Sequence, residues 1–257
     1  MIIQYASDLH LEFRENKEFL KSNPLKSKGG VLLLAGDIVP FAVMDMHKDF
    51  FKYVSDHFEM TYWIPGNHEY YHFDAAKKCG TFNEKIKSNV FLVNNTTIIQ
   101  GDTRFLFSTL WSKIRPSLEW QIERQMNDFH VIMYKGNRFS SVPFNQFHSE
   151  CLLYLNQELE KPFPGKTVVM THHLPTLINY PEKYKGNVLN DAFAVELFDL
   201  IEAKEPDFWI YGHTHFNTPE FEIGKTKLVT NQLGYVKYGE HSLFQNDAFL
   251  TFTDYLK

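Results

Sequence analysis

Val31-Leu32-Leu33-Leu34-Ala35 is an unbroken apolar run of strand length that stops at Gly36-Asp37. A strand without a polar face is one covered on both sides. The pattern recurs four times. Ile2 to Ser7 ends at Asp8-Leu9-His10, and Thr61 to Ile64 ends at Pro65-Gly66-Asn67-His68-Glu69. Thr167 to Met170 ends at Thr171-His172-His173, and Phe208 to Tyr211 ends at Gly212-His213-Thr214-His215. Between these runs the apolar spacing is helical. Met46 to Phe58 carries Phe50, Phe51, Val54 and Phe58, and Phe144 to Leu159 carries Phe147, Cys151, Leu152, Leu155 and Leu159. Strand, helix, strand, with polar motifs at strand exits, is the signature of an α/β protein, in which ligands gather at the carboxyl ends of strands.

The rest of the chain is read the same way. Helices are expected over Ala75–Lys87, Leu118–Phe129 and Phe193–Glu202. Strands are expected at Val90–Leu92, Thr96–Gln100, Phe105–Thr109, Lys227–Thr230 and Ala248–Phe252, with Gly101-Asp102 as a turn. The segment from Glu12 to Asn23-Pro24 reads as polar. Residues 112–142 are an excursion near the active site, too short for a separate domain, so a single domain over residues 1–257 is expected.

The strand exits collect Asp8, His10, Asp37, Asn67, His68, His172, His173, His213 and His215. Oxygen and imidazole donors without cysteine suit borderline divalent metals such as Mn, Fe or Zn. They exceed the needs of one ion; two, bridged by a carboxylate, would bind a phosphoryl oxygen and activate water. Each piece has a plainer reading. Asp-x-His and Gly-Asp are common turns, and Asn67 could cap a helix. Five blocks in order, each after an apolar strand, weigh against those readings.

This order resembles the calcineurin-like metallophosphoesterase family: D-x-H, G-D, G-N-H-[DE], a lone H, then G-H-x-H, spanning Asp8 to His215. The resemblance implies a four-layer α/β/β/α sandwich with two mixed β-sheets. It assigns Asp8, His10 and His215 to one metal and Asn67, His172 and His213 to the other, with Asp37 bridging. It makes His68 the proton donor to the leaving oxygen and prefers His172 over His173. The protein Ser/Thr phosphatase branch continues its second block as G-D-x-x-D-R-G. Here Ile38-Val39-Pro40-Phe41 follows Asp37, which argues against that branch. Ser7 to Phe13, His172-His173-Leu174-Pro175 and Asn231-Gln232-Leu233-Gly234-Tyr235 are similar to a bacterial group of predicted phosphoesterases, whose N-P-x-G-Y tail has proline where Gln232 stands.

The expected function is therefore phosphate-ester hydrolysis, a diester ahead of a monoester, by a metal-held hydroxide with His68 as general acid. The alternatives are a non-catalytic binding scaffold of the same fold, or a nuclease. Net charge is −5 and no basic stripe shows in the sequence, which weighs against nucleic acid as partner and for a small phosphate ester. Two cysteines and no charged, apolar N-terminal leader point to a reduced, cytoplasmic setting. No apolar stretch is long enough for a membrane span. Trp111, Arg115, Tyr180 and Tyr184 are candidates for a pocket wall, and His72, His130 and His241 for groups behind the ligands. Glu69 has no assigned chemistry beyond orienting its turn or capping the helix after it.

Overall fold

The structure is a computed structural model that describes residues 1–252. Three parallel strands open it: β1 (Ile2–Ala6), β2 (Val31–Ala35) and β3 (Met60–Ile64), with α1 (Arg14–Ser22) and α2 (Lys48–His57) as their crossovers. The hairpin β4 (Phe82–Lys87) and β5 (Val90–Asn94) extends this sheet, β5 lying parallel to β3. A second sheet starts with the hairpin β6 (Thr96–Gln100) and β7 (Thr103–Phe107). The excursion follows, with α3 (Glu119–Gln125), α4 (Asp128–Val131) and the two-residue strands β8 (Met133–Tyr134) and β9 (Asn137–Arg138). Then come α5 (Ser141–Glu160), β10 (Lys166–Met170), α6 (Phe198–Lys204), β11 (Phe208–Ile210), β12 (Phe221–Ile223) and β13 (Thr226–Val229). Finally β14 (Phe249–Thr251) returns to pair antiparallel with β1.

The six-stranded sheets run β14-β1-β2-β3-β5-β4 and β12-β13-β11-β10-β7-β6, each with parallel strands in the middle and antiparallel edges. Successive strand residues point to opposite faces, and this sorts the apolar runs into layers. Leu33, Ile64, Phe105, Phe107, Met170 and Ile210 fill the space between the sheets. Leu32, Leu34 and Trp63 point the other way, onto α1 and α2 through Leu20, Phe51 and Val54. Leu106, Val169 and Trp209 do the same on the second sheet, against Leu155, Leu159 and Ile201 of α5 and α6. The result is the α/β/β/α sandwich implied by the resemblance. Each such buried side chain contributes about 1.5–3 kcal/mol.

Several expected elements differ. Ala75–Lys87 is not a helix: one 3-10 turn at Ala75–Lys77 gives way, past Gly80, to β4. Phe82 and Ile86 alternate with exposed Asn83 and Lys85, a period of two that pairing with β5 exploits. The polar segment after His10 holds α1, which buries only Asn16 and Leu20 and so shows little apolar period. The Leu118–Phe129 helix breaks into α3 and α4 at Met126, whose backbone is extended (ψ 131°). Phe193–Glu202 begins as a helix only at Phe198, because Ala194 bridges to Leu174 and the Glu196 carboxylate accepts from the Phe198 N–H. The excursion is packed rather than loose. Trp111, Phe129, Phe139, Phe144 and Phe147 form an aromatic cluster between it and α5. No helix among the described residues is long and apolar enough to cross a membrane.

Candidate metal centre

Each strand of the two parallel cores stops at the same end, and the chain turns there through costly backbone. Asp8, His10, Asp37, His213 and His215 all have positive φ, between 46° and 79°. Such conformations cost a non-glycine residue about 1–3 kcal/mol and persist only where the surroundings enforce them. Here the exits enforce one another. The N–H groups of Asp8 and His10 donate to the Gly36 and Asp37 carbonyls at 2.9 Å, and Gly212 N–H donates to the His172 carbonyl at 3.0 Å. The His213 N–H donates to both Asp8 carboxylate oxygens at 3.1 Å.

The side chains so aimed form two clusters that share one residue. Asp8, His10, Asp37 and His215 make one, and Asp37, His172 and His213 the other; within each, the ligand atoms lie within 4.8 Å of one another. Asn67 joins the second, its Oδ1 standing 3.1 Å from His172 Nε2. Asp37 sends Oδ2 toward His10 Nε2 at 3.8 Å and Oδ1 toward His172 Nε2 at 3.5 Å. His173 belongs to neither cluster: its ring lies 4.3 Å from that of His213 and 5.3 Å from that of Trp111, with both nitrogens buried without a hydrogen-bond partner.

Hydrogen bonds at the far side of each ring fix what faces the centre. His10 Nδ1 donates to Glu12 at 3.2 Å and His215 Nδ1 to Glu240 at 2.8 Å, so both Nε2 atoms present lone pairs, and they stand 2.9 Å apart. His172 Nδ1 donates to the Ala35 carbonyl and His213 Nε2 to the Ala192 carbonyl. Their other nitrogens, again lone pairs, stand 3.1 Å apart. Two imidazole lone pairs repel at such distances unless a cation lies in reach of both. The carboxylates say the same. Burial, then the charges of Glu69 and Asp8, push the Asp37 carboxyl well above the usual range. Burial drives the His10 imidazole down to about 3, and His172 and His213 well below their ordinary value. Neutral imidazoles and crowded carboxylates are donors that suit divalent cations, and Asp37 is common to both clusters.

His68 stands beside the first cluster. Its ring stacks on Tyr71 (centroids 3.9 Å apart, planes at 23°), and its N–H donates to Asp37 Oδ1 at 2.9 Å. The ring Nδ1 lies 3.3 Å from Glu12 Oε1, the same oxygen that holds His10. Nε2 is left toward Tyr235 Oη, 3.5 Å away. Burial opposes the Glu12 charge, but the hydrogen bonds from His10 and His68 outweigh it and hold the carboxyl near about 2. A cavity of about 300 Å³ opens over this face, lined by Asp37, His68, His213 and His215 and walled by residues 125–128 of the excursion with Tyr184, Phe193 and Tyr235.

Other residues proved structural in ways that motif spacing does not show. The Glu69 carboxylate, fully buried, accepts N–H bonds from Asp37, Ile38 and Gly66 at 2.9, 2.7 and 2.6 Å and from Trp63 Nε1 at 3.0 Å. It ties the second strand exit to the third. Asp128, buried in α4, accepts from Tyr71 Oη at 3.1 Å and pairs with the Asn67 side chain. Gln232 accepts from His215 N–H at 2.6 Å, while its own N–H donates to Asn217, a bond that proline could not make. Only Glu12 left a signal in the sequence. Asp8, His10 and Glu12 alternate with buried Leu9 and Leu11, so the period of two continues two residues past the motif.

Some expected pocket residues lie elsewhere. Arg115 is exposed and clamped by both oxygens of Asp191, at 2.7 and 2.9 Å. Trp111 is buried in the excursion's core, and Tyr180 is buried with its hydroxyl on Asn190, whereas Tyr184 does line the cavity. The groups recorded behind the ligand rings are Glu12, Glu240 and the Ala35 and Ala192 carbonyls, not His72, His130 or His241. Gly66 shows how tightly the centre is packed, since a methyl group there would overlap Asp37 Oδ1 and the His172 ring. Gly66→Ala is therefore expected to lose at least one equivalent of bound metal on elemental analysis while keeping the parent's circular dichroism. Retention of both equivalents would overturn the close approach.

A family model described as calcineurin-like phosphoesterase matches residues 3–217. "Uncharacterized protein L509" of Acanthamoeba polyphaga mimivirus is 32% identical over 261 residues, 91% of each chain. Among solved structures, phosphopantetheinyl hydrolase from Mycobacterium tuberculosis superposes with a TM-score of 0.64 at 15% identity, covering 91% of this chain and 90% of that one. That likeness is one of fold.

Proposed function

The chain belongs to the calcineurin-like phosphoesterase family, and from that membership we propose that it hydrolyses a phosphate ester at a centre of two divalent cations, with His68 as the proton donor. One observation carries the reading: two sets of inward-facing donors share the two oxygens of Asp37, and a histidine that belongs to neither set stands beside them. Asp8, His10 and His215 would hold one cation and Asn67, His172 and His213 the other. Cations so placed neutralise charge on the phosphoryl oxygens and lower the pKa of water.

The protein's own residues set the direction of the reaction. The Asp37 carboxylate and the His68 N–H fix the His68 backbone, and Tyr71 fixes the plane of its ring. Glu12 takes Nδ1–H, so the ring delivers a proton only from Nε2, the atom 3.5 Å from Tyr235 Oη. Asp128 orients the Asn67 amide so that its oxygen, not its nitrogen, faces His172. None of the residues described as lining the cavity is Lys or Arg. That favours a phosphodiester, which carries one negative charge, over a monoester, and weighs against nucleic acid as a partner.

Turnover of bis(4-nitrophenyl) phosphate and 4-nitrophenyl phosphate by protein loaded with Mn, Fe, Zn or Mg tests the reading; no hydrolysis with any of the four would end it. His68→Ala is expected to keep both metals and lose about 10²–10⁴-fold in kcat/KM on alkyl esters, with a much smaller loss on nitrophenyl esters, whose leaving group needs no proton. Full activity on an alkyl ester would remove His68 from the acid role.

A further inference from the structure

We infer that the organic part of the substrate is uncharged and carries an aromatic ring, an inference that rests on the phosphoesterase reading of the same site. The cavity's lining beside the ligand clusters includes Gln125, Met126, Asn127, Tyr184, Phe193 and Tyr235. Phe193 stacks on the His213 ring at 4.5 Å and Tyr235 meets the His215 ring edge-on at 4.4 Å. Both are held by the metal-binding face itself, so a ring lying against them would sit beside the phosphoryl position. Gln125 and Asn127 are exposed amides that can bond polar edges without charge.

Beyond Asp37, the carboxylates that line the cavity are those of Asp128 and Glu240, and no Lys or Arg is among the lining residues. Asp128 is buried, with its oxygen on Tyr71 Oη. Glu240 is half-buried, with Oε2 on His215 Nδ1 at 2.8 Å and on the Tyr235 N–H at 2.7 Å. Lys183, the cation over the outer wall, lies 4.5 Å above the Tyr184 ring and 5.6 Å above that of Phe216. A second anionic group on the substrate would lie near the Glu240 carboxylate with no lining Lys or Arg to receive it. Two cations held by these clusters would already attract the phosphoryl group. An uncharged ring gains stacking area against Phe193 and Tyr235 and meets no like charge.

Binding of phosphonates, which resist hydrolysis, separates this inference from the one it rests on. Calorimetry on the Mn-loaded protein would compare methylphosphonate, phenylphosphonate and 4-carboxyphenylphosphonate. Phenylphosphonate is expected to bind at least tenfold tighter than either of the others. In Gln125→Lys the 4-carboxy compound is expected to recover most of its deficit. Equal affinities for phenyl and 4-carboxyphenyl, or for phenyl and methyl, would overturn the inference, as would no binding of phenylphosphonate. The phosphoesterase reading fails on a different result: the preference for phenylphosphonate holds, but no aryl phosphate is turned over.

Discussion

Asp37→Ala is expected to bind fewer than two equivalents of metal and to lose at least about 10³-fold in kcat/KM, because a shared ligand leaves both cation positions at once. The scale follows from the several kcal/mol of charge stabilisation such cations supply, at 1.36 kcal/mol per factor of ten. The bridging role makes a sharper prediction through the isosteric Asp37→Asn. In chelator the Asn variant should be no less stable than the parent, since burial and the charges of Glu69 and Asp8 then disfavour an ionised Asp37, offset by the His68 N–H bond. Its amide oxygen can still accept the His68 N–H bond. On adding Mn or Zn the parent should gain melting temperature and the variant little, because ligand binding stabilises only the state that binds. Elemental analysis showing two full equivalents in Asp37→Ala would refute the bridge. A clear loss of chelator-treated stability in Asp37→Asn would show instead that Asp37 is chiefly a structural acceptor.

Glu69→Ala is expected to cost more stability than any ligand substitution. The carboxylate stands at 0% exposure among the N–H groups of Asp37, Ile38 and Gly66 and the indole N–H of Trp63, with Val39 N–H at 3.4 Å. Removing it leaves these donors buried and unpaired, each costing about 1–3 kcal/mol. A total loss of at least about 4 kcal/mol would be a large share of the roughly 5–15 kcal/mol that holds an ordinary domain together. At about 2–4 °C per kcal/mol, the melting temperature should fall by roughly 10 °C or more. Burial pushes the Glu69 carboxyl up to about 7, against the N–H donors that favour its charge. Because every partner is a donor, a protonated oxygen would find no acceptor, so the ionised form is the one this geometry accommodates. Glu69→Gln should fall between the two, since its amide NH2 must turn toward N–H donors. A Glu69→Ala protein melting within about 2 °C of the parent would show that the loop finds other acceptors.

What the chain declared along its length, and what it did not, divides by range. Val31–Ala35 and its four counterparts are local signals, since a strand with no polar face needs cover on both sides whatever its neighbours are. The exits are local too: Asp8, His10, Asp37, Asn67, His172, His213 and His215 each follow an apolar strand, and parallel strands necessarily deliver their carboxyl ends to one side. Sequence by itself therefore determined the α/β class, the family, and the residues that meet. The tertiary structure decided everything that depends on residues distant in sequence. Two adjacent histidines have identical local context, and only packing shows that His172 faces Asp37 while His173 lies against Trp111. Arg115 is drawn to Asp191, across the gap from the excursion to the segment before α6, and so leaves the pocket. Asp128 reaches Tyr71 and Asn67 from the excursion, and Glu240 reaches His215 from the chain's last turns. Glu69 sits inside the motif itself, yet its role is invisible there, because its partners on Asp37 and Ile38 lie on another strand's exit. Periodicity reports which face a side chain takes; a hydrogen bond between loops exists only once the sheets have brought those loops together.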